Sequence, residues 1–101
     1  MAKKMKIVTV CGCGLGSSLM AKTTIEKIMK EFGVVATIEA SDAGTAKGYP
    51  SDLIITTIML KPRVGEIPGT PVIAVKSFMN VDELREVMRS PVEEFKRKNN
   101  L

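Results

Sequence analysis

The most constraining feature of the sequence is a run of alternating glycines, "CGCGLGSS", at residues 11–18. It is preceded by "KIVTV", Lys6 to Val10, a β-branched run that predicts a buried strand. It is followed by apolar residues at helical spacing, with Ser17 or Ser18 as the predicted N-cap and Gly33 as the predicted stop. A strand that turns into a helix through glycines predicts the start of an α/β unit.

Three further strands are predicted in "VVATIEA" (34–40), "SDLIITTIML" (51–60) and "TPVIAVKSF" (70–78). The second of these is apolar almost throughout, as is typical of a central strand that is covered on both faces. The connections "DAGTAKGYP" and "KPRVGEIPG" are short and rich in Gly and Pro, so each is expected to hold at most a short helix.

The C-terminal segment predicts a second amphipathic helix. Asn80 and Glu83 have the spacing of a capping box. An apolar stripe follows, formed by Leu84, Val87 and Met88. Because Ser90 and Pro91 repeat the signals of a helix start, this helix is expected to be kinked or split there.

This order of elements predicts an α/β fold over residues 1–101, as one domain. The expected architecture is a flavodoxin/Rossmann-like three-layer sandwich. Its four-stranded parallel sheet has the order 2-1-3-4 and right-handed crossovers. Ligands of such sheets bind beyond the carboxyl ends of the strands, so Cys11 is expected at the mouth of the site.

Composition excludes several classes of function. The net charge is +4, and the basic residues fall mainly at the two ends, without aromatic residues beside them, so no nucleic acid is expected as a partner. The sequence has no histidine, and two cysteines are too few to hold zinc, so neither a metal nor another cofactor is expected. No apolar run has the length of a signal peptide core or a membrane span. Since Cys-x-Cys is a poor disulfide framework, a cytoplasmic protein with free thiols is expected.

The glycine run is predicted to bind an anion. Alternating glycines let the loop wrap closely and direct its backbone N–H groups inward, next to the unpaired N–H groups and positive dipole of the helix start. These donors favour the thiolate of Cys11 and so lower its pKa. The predicted phosphoryl-binding residues are Gly12, Cys13, Gly14, Leu15, Gly16, Ser17 and Ser18, with Cys11 as the nucleophile.

The same loop has five alternative interpretations. A dinucleotide site needs G-x-G-x-x-G, a nucleoside triphosphate loop ends in Gly-Lys-Ser/Thr, and a redox site usually has Cys-x-x-Cys, and none of these patterns is present. A cysteine phosphatase has an arginine six residues after its cysteine, where this sequence has Ser17. Without that clamp the loop can hold a phosphoryl group but should hydrolyse it slowly, which is the property of a carrier. A cysteine that is merely buried beside a tight turn remains the structural alternative.

The segment "KIVTVCGCGLGSSLMAK" resembles the active loop of the enzyme IIB components of the sugar phosphotransferase system, most closely the ascorbate type of the ascorbate/galactitol group. Looser similarity continues through "SDLIITT" and "TPVIAVKSFMN". The resemblance implies that Cys11 accepts a phosphoryl group from a histidine of a IIA protein. It also implies transfer to a sugar, ascorbate-like or related, held by a IIC permease, which would be the only link to the membrane.

Other residues are weaker candidates. Thr56 and Thr57 are predicted near the end of the third strand, and Asp42 and Ser77 after the second and fourth. Cys13 stands at a variable position of the family's motif, so the resemblance implies an accessory or incidental role, and an oxidation that joins it to Cys11 stays open. Two functional alternatives also stay open, namely a phosphatase of the low-molecular-weight type and a regulatory IIB-like domain that senses phosphate.

Overall fold

The computed structural model describes residues 4–10, 15–41, 44, 48, 50–67, 69–78 and 80–99, with the backbone alone over residues 15–20. The described strands are β1 (Met5–Val10), β2 (Ala36–Ser41), β3 (Leu53–Thr57) and β4 (Val72–Val75). The described helices are α1 (Leu15–Phe32), α2 (Lys61–Val64) and α3 (Val81–Lys98).

The four strands form a parallel sheet in the order β2-β1-β3-β4, which confirms the predicted topology. β1 lies in the interior and pairs with β2 on one side and with β3 on the other. At its carboxyl end, Val10 lies level with Ser41 of β2 and with Thr56 of β3. The register therefore places the end of β1 between two neighbouring strand ends.

The sheet separates two apolar layers. One face packs against α1 and α3 in the larger core, whose buried helical side chains are Ala21, Ile25, Ile28, Met29, Leu84, Met88, Val92 and Phe95. The other face presents Val8, Val10 and Ile54 to Val64 of α2, with Leu60, Ile67 and Val72 around them. Alternate residues of β1 and β3 point to opposite cores, as the period of a strand requires, and the result is the predicted three-layer arrangement.

The start of α1 differs from the prediction. The helix begins at Leu15, so Ser17 and Ser18 lie inside its first turn and neither is the N-cap. The predicted stop is confirmed, because Gly33 follows the helix with a φ of 75°. Its N–H donates to the carbonyl of Lys30, and the N–H of Val34 donates to that of Met29, which is the Schellman pattern.

The C-terminal helix is continuous, so the predicted split at Pro91 is wrong. A proline inside a helix costs about 3 kcal/mol. However, Leu84 and Met88 before it and Val92 and Phe95 after it are all buried in the same core. Each such side chain contributes about 1.5–3 kcal/mol on burial, so packing outweighs the cost of the proline. In the part of the chain that is described, no helix combines the length and the apolar character that crossing a membrane requires.

The predicted capping box is half formed. Asn80 is the N-cap, and its Oδ1 accepts from the Glu83 N–H at 3.1 Å. Glu83 does not return the bond to Asn80, whose own N–H donates to the carbonyl of Ser77. Instead, Glu83 Oε1 accepts from the N–H of Lys76 at 2.9 Å. This bond fixes the start of α3 to the end of β4.

Candidate functional site

The predicted phosphoryl-binding loop begins at the carboxyl end of β1. Cys11, Gly12, Cys13 and Gly14 lie outside the described residues, and their roles remain predictions. Val10 is fully buried and lies between the ends of β2 and β3. Val10, which precedes Cys11 in the sequence, therefore lies at the carboxyl edge of the sheet, where ligands of open α/β sheets bind.

The other end of the loop is the first turn of α1. Leu15, Gly16, Ser17 and Ser18 are helical there, and only their backbone is described. The first N–H groups of a helix have no acceptor within the helix, and the helix dipole adds about half a positive charge at this end. The first turn holds no acidic residue to offset that charge. Backbone and dipole thus make this end of α1 favourable for an anion.

Among the weaker candidates, Thr56 lies level with Val10, the last residue before the loop. Its burial and its hydrogen bond indicate a structural role. It is fully buried, and its Oγ1 donates to the carbonyl of Thr57 at 3.2 Å. Thr57 is half-buried at the end of β3. Ser77 is exposed and follows β4, which is separated from β1 by β3. Asp42 lies outside the described residues. The structure therefore brings Thr56 and Thr57 beside the end of β1 and leaves Ser77 two strands away.

Sequence reasoning missed the exposed turn that follows β3. The run "SDLIITTIML" was predicted as one strand through Leu60, yet β3 ends at Thr57 and the next residues form a turn. Ile58 and Met59 are consequently exposed, at 50% and 89%. A signal was present, because Pro62 lies in the first turn of α2, a position that proline favours. A helix that begins there leaves the preceding residues for a connection rather than for the sheet.

Within the described part of the chain, the ionisable group whose pKa is clearly shifted lies elsewhere. Arg85 of α3 donates two hydrogen bonds to the carboxylate of Glu31, at 2.9 and 3.1 Å, near the C-terminal end of α1. These bonds and the charge of Glu31 raise the pKa of Arg85, and Asp82 adds to the effect. Glu31 lies in the last turn of α1, which ends at Phe32. This pair therefore links the two helices at the end of α1 that lies away from the candidate site.

The fold and the position of the loop agree with a comparison of the sequence with known families. The chain belongs to the family described as PTS system, Lactose/Cellobiose specific IIB subunit, whose model matches residues 6–90. It is thus a IIB component of the phosphotransferase system of sugar uptake. The matched range contains β1, the glycine run and most of α3.

A relative with a more specific description gives a second comparison. The chain is 33% identical over 88 residues to a Mycoplasma pneumoniae protein described as the ascorbate-specific PTS system EIIB component. The match covers 85% of this chain and 93% of the relative. The relative is therefore matched along nearly its whole length.

Proposed function

We propose that this IIB component is a phosphoryl carrier that uses Cys11 as its acceptor. The observation that carries the proposal is the position of this residue, directly after the interior strand β1 and four residues before α1. A phosphohistidine of a IIA protein is the donor. A sugar bound to a IIC permease is the final acceptor. The protein acts on the cytoplasmic side and meets the membrane through the permease.

Two displacements at phosphorus make up the reaction. In the first, the thiolate sulfur of Cys11 attacks the phosphorus of the phosphohistidine, an S–P bond forms, and the P–N bond breaks with its electron pair returning to the imidazole. In the second, a sugar hydroxyl oxygen attacks the same phosphorus, an O–P bond forms, and the thiolate leaves. The hydroxyl proton passes to a base on the permease side. Positioning and charge stabilisation carry most of such catalysis.

The proposed binding groups suit a temporary attachment. Hydrogen bonds to a charged group are worth about 1.5–3 kcal/mol each, so a few N–H groups of the loop and of the first turn of α1 can hold the phosphoryl oxygens. Ser17 occupies the position at which a cysteine phosphatase has its arginine, so the bidentate clamp of that class is missing. Weaker binding of the phosphoryl oxygens favours transfer of the group to the next acceptor over rapid hydrolysis.

The proposed substrate is an ascorbate-like sugar. The support comes from the relative described as ascorbate-specific, which the chain matches over 93% of its length. The family model carries the broader description lactose/cellobiose specific. Transport of labelled ascorbate against labelled cellobiose, in cells that carry the chain with its permease, separates the two possibilities.

Phosphorylation with matched cysteine variants tests the carrier function. Wild type, Cys11→Ser and Cys13→Ser are incubated with a phosphorylated IIA protein, and the added phosphoryl mass is located by peptide mapping. We expect wild type and Cys13→Ser to take up one group on Cys11, and Cys11→Ser to take up none. Retention in Cys11→Ser with loss in Cys13→Ser would reverse the assignment. Uptake on Cys11 without onward transfer to a sugar would favour a regulatory domain instead.

A further inference from the structure

Two large apolar side chains are exposed beside the proposed phosphoryl site. Thr56 is level with Val10, the residue that precedes Cys11, and Ile58 and Met59 follow Thr56 by two and three residues. Ile58 is 50% exposed and Met59 89% exposed. Single exposed apolar residues are common on protein surfaces. Two adjacent ones at the edge where chemistry is proposed require a more specific explanation.

Hydrogen bonding holds the start of this turn in place. The N–H of Ile58 donates to the carbonyl of Val75 at 2.9 Å, and the N–H of Leu60 donates to that of Thr57. The first bond also brings the end of β4, and hence Lys76, next to Ile58. Ile58 further lines a shallow groove of about 330 Å³ with Lys61, Pro62, Gly65 and Glu66. The apolar pair is therefore presented by ordered backbone.

Positive side chains lie on the elements that flank the apolar pair. Lys61 and Arg63 of α2 are exposed, as is Lys76 after β4. Among the described residues none of these three cations takes part in an ion pair. Glu66 is the one carboxylate lining the same groove. Glu83 adds a second carboxylate, because its Oε1 accepts from the N–H of Lys76 at 2.9 Å. Three cations against these two carboxylates leave this edge with a small net positive charge.

We infer that Ile58, Met59, Lys61, Arg63 and Lys76, named here the β3-edge surface, dock the phosphorylated donor protein. The inference rests on the proposed function. Transfer to a sulfur requires the reacting atoms to come within about 3–3.5 Å, so the protein surface around the donor histidine must lie against residues that flank Cys11. Met59 supplies the apolar contact. The cations attract the negatively charged phosphoryl group.

The charge distribution favours the donor over other occupants. In the first transfer the partner carries the negative phosphoryl group and meets a positive edge, so association is attractive and selects the loaded donor. In the second transfer this chain carries the group, which offsets its own cations, so the attraction is reduced. A second copy of the chain would bring the same cations against each other. Of these three partners, the phosphorylated donor is therefore the one that this surface attracts most strongly.

Two pairs of variants test the inference in the full chain. Met59→Ala removes the apolar contact, and its control is Val35→Ala, which removes a 52% exposed side chain near the opposite edge of the sheet. Lys61→Glu reverses a charge, and its control is Lys27→Glu, exposed on α1 and about 18 Å along the helix from Leu15. The rate of phosphoryl uptake from a IIA protein is measured against donor concentration. Alkylation of Cys11 by iodoacetamide is measured in parallel, as a check on the loop.

We expect Met59→Ala to raise the KM for the phosphorylated donor about tenfold, with kcat and the alkylation rate unchanged, because a few central side chains carry most of the affinity of an interface. Lys61→Glu should raise the KM strongly at low salt and less as salt screens the charge. Both controls should match wild type.

Several results would overturn the inference. One is an equal KM for the phosphorylated donor in Met59→Ala and Val35→Ala. Another is normal phosphoryl uptake in Met59→Ala with impaired transfer to the sugar in permease vesicles, which would assign the surface to the permease. Concentration-dependent association of the wild type that Met59→Ala abolishes would assign it to a second copy. A wild-type chain that accepts no phosphoryl group refutes the proposed function itself, and the inference with it.

Discussion

Each end of α1 carries a glycine, and substitution by alanine should have opposite effects on the free energy of unfolding at the two positions. Gly16 lies inside the first turn and is helical. Gly33 follows the last turn with a φ of 75°. The sequence predicts Gly16 in a loop that wraps closely around an anion, but the observed start of the helix at Leu15 gives its backbone a helical conformation. Gly16→Ala and Gly33→Ala therefore form a matched pair.

The magnitudes follow from backbone conformation. Glycine within a helix is about 0.5–1 kcal/mol less favourable than alanine, so Gly16→Ala should raise the free energy of unfolding by up to about 1 kcal/mol. A Cβ on Gly33 would meet no atom within 4 Å, so its cost is conformational alone. Placing a non-glycine residue in the left-handed region costs about 1–2 kcal/mol. One kcal/mol moves the Tm of a domain of this size by about 4–8 °C.

The assay is thermal unfolding followed by far-ultraviolet circular dichroism, with phosphoryl uptake measured on the same samples. Gly16→Ala should raise the Tm by up to about 8 °C, and Gly33→Ala should lower it by at least about 4 °C. Uptake should fall in Gly16→Ala, because its Cβ adds bulk in the turn whose N–H groups are proposed to bind the phosphoryl oxygens. Gly33→Ala should leave uptake unchanged at temperatures where it is folded.

A fall in Tm for Gly16→Ala as large as that for Gly33→Ala would refute a helix that begins at Leu15. A rise in Tm with unchanged uptake would leave the helix start intact and remove Gly16 from the anion site. Gains in stability with losses in uptake are the result expected of a glycine that is retained for access to a ligand.

Three further outcomes are expected. Thr56→Val should change the free energy of unfolding by less than about 1 kcal/mol in urea denaturation, because the loss of a hydrogen bond of about 1 kcal/mol is offset by a buried methyl group of about 0.8 kcal/mol. Phosphoryl uptake should be unchanged, and a loss of uptake above tenfold would give the hydroxyl a role in binding. Asn80→Ala should lower stability by about 1 kcal/mol, a fall in Tm of about 4–8 °C, because it removes the bond to the Glu83 N–H; an unchanged Tm would contradict the cap. The chain should not hydrolyse an aryl phosphate at rates near 10 per second, because Ser17 replaces the arginine of phosphatases, and sustained turnover that Cys11→Ser abolishes would contradict the carrier function.

The topology was predictable because each strand has a local signal and the rules of crossover connections leave few arrangements. The errors concern the ends of elements, where tertiary contacts compete with local preference. Pro91 predicts a break in the helix, but buried side chains on both sides of it keep the helix continuous. Glu83 has the spacing to cap Asn80, but the nearby N–H of Lys76 takes its carboxylate. Neither partner can be identified from spacing along the chain.

The candidate site was predictable only in part. Glycine spacing and the order of elements predict where Cys11 enters the fold, and the register of β1 with its neighbours agrees. The exposed turn at Ile58 and Met59 was missed because an apolar run reads as a strand whichever of its residues join the sheet. Its end is set by the register with β4, in which Thr57 pairs with Val75 as the last residue of each strand. That register depends on a long-range pairing.

The two edges of the sheet are constructed differently, and the difference supports the proposed division of roles. At the amino edge, the Lys6 N–H donates to Asp52 Oδ2 at 2.8 Å and the Met5 N–H to the carbonyl of Val35 at 2.9 Å, and the side chain of Val35 is 52% exposed. At the carboxyl edge the described backbone ties the turn after β3 to β4, yet leaves Met59 in solvent. Exposure of that side chain contributes nothing to folding, because its apolar surface stays in water. A contact that forms only when a donor protein arrives gives the exposed side chain a function at the edge where Cys11 begins the loop.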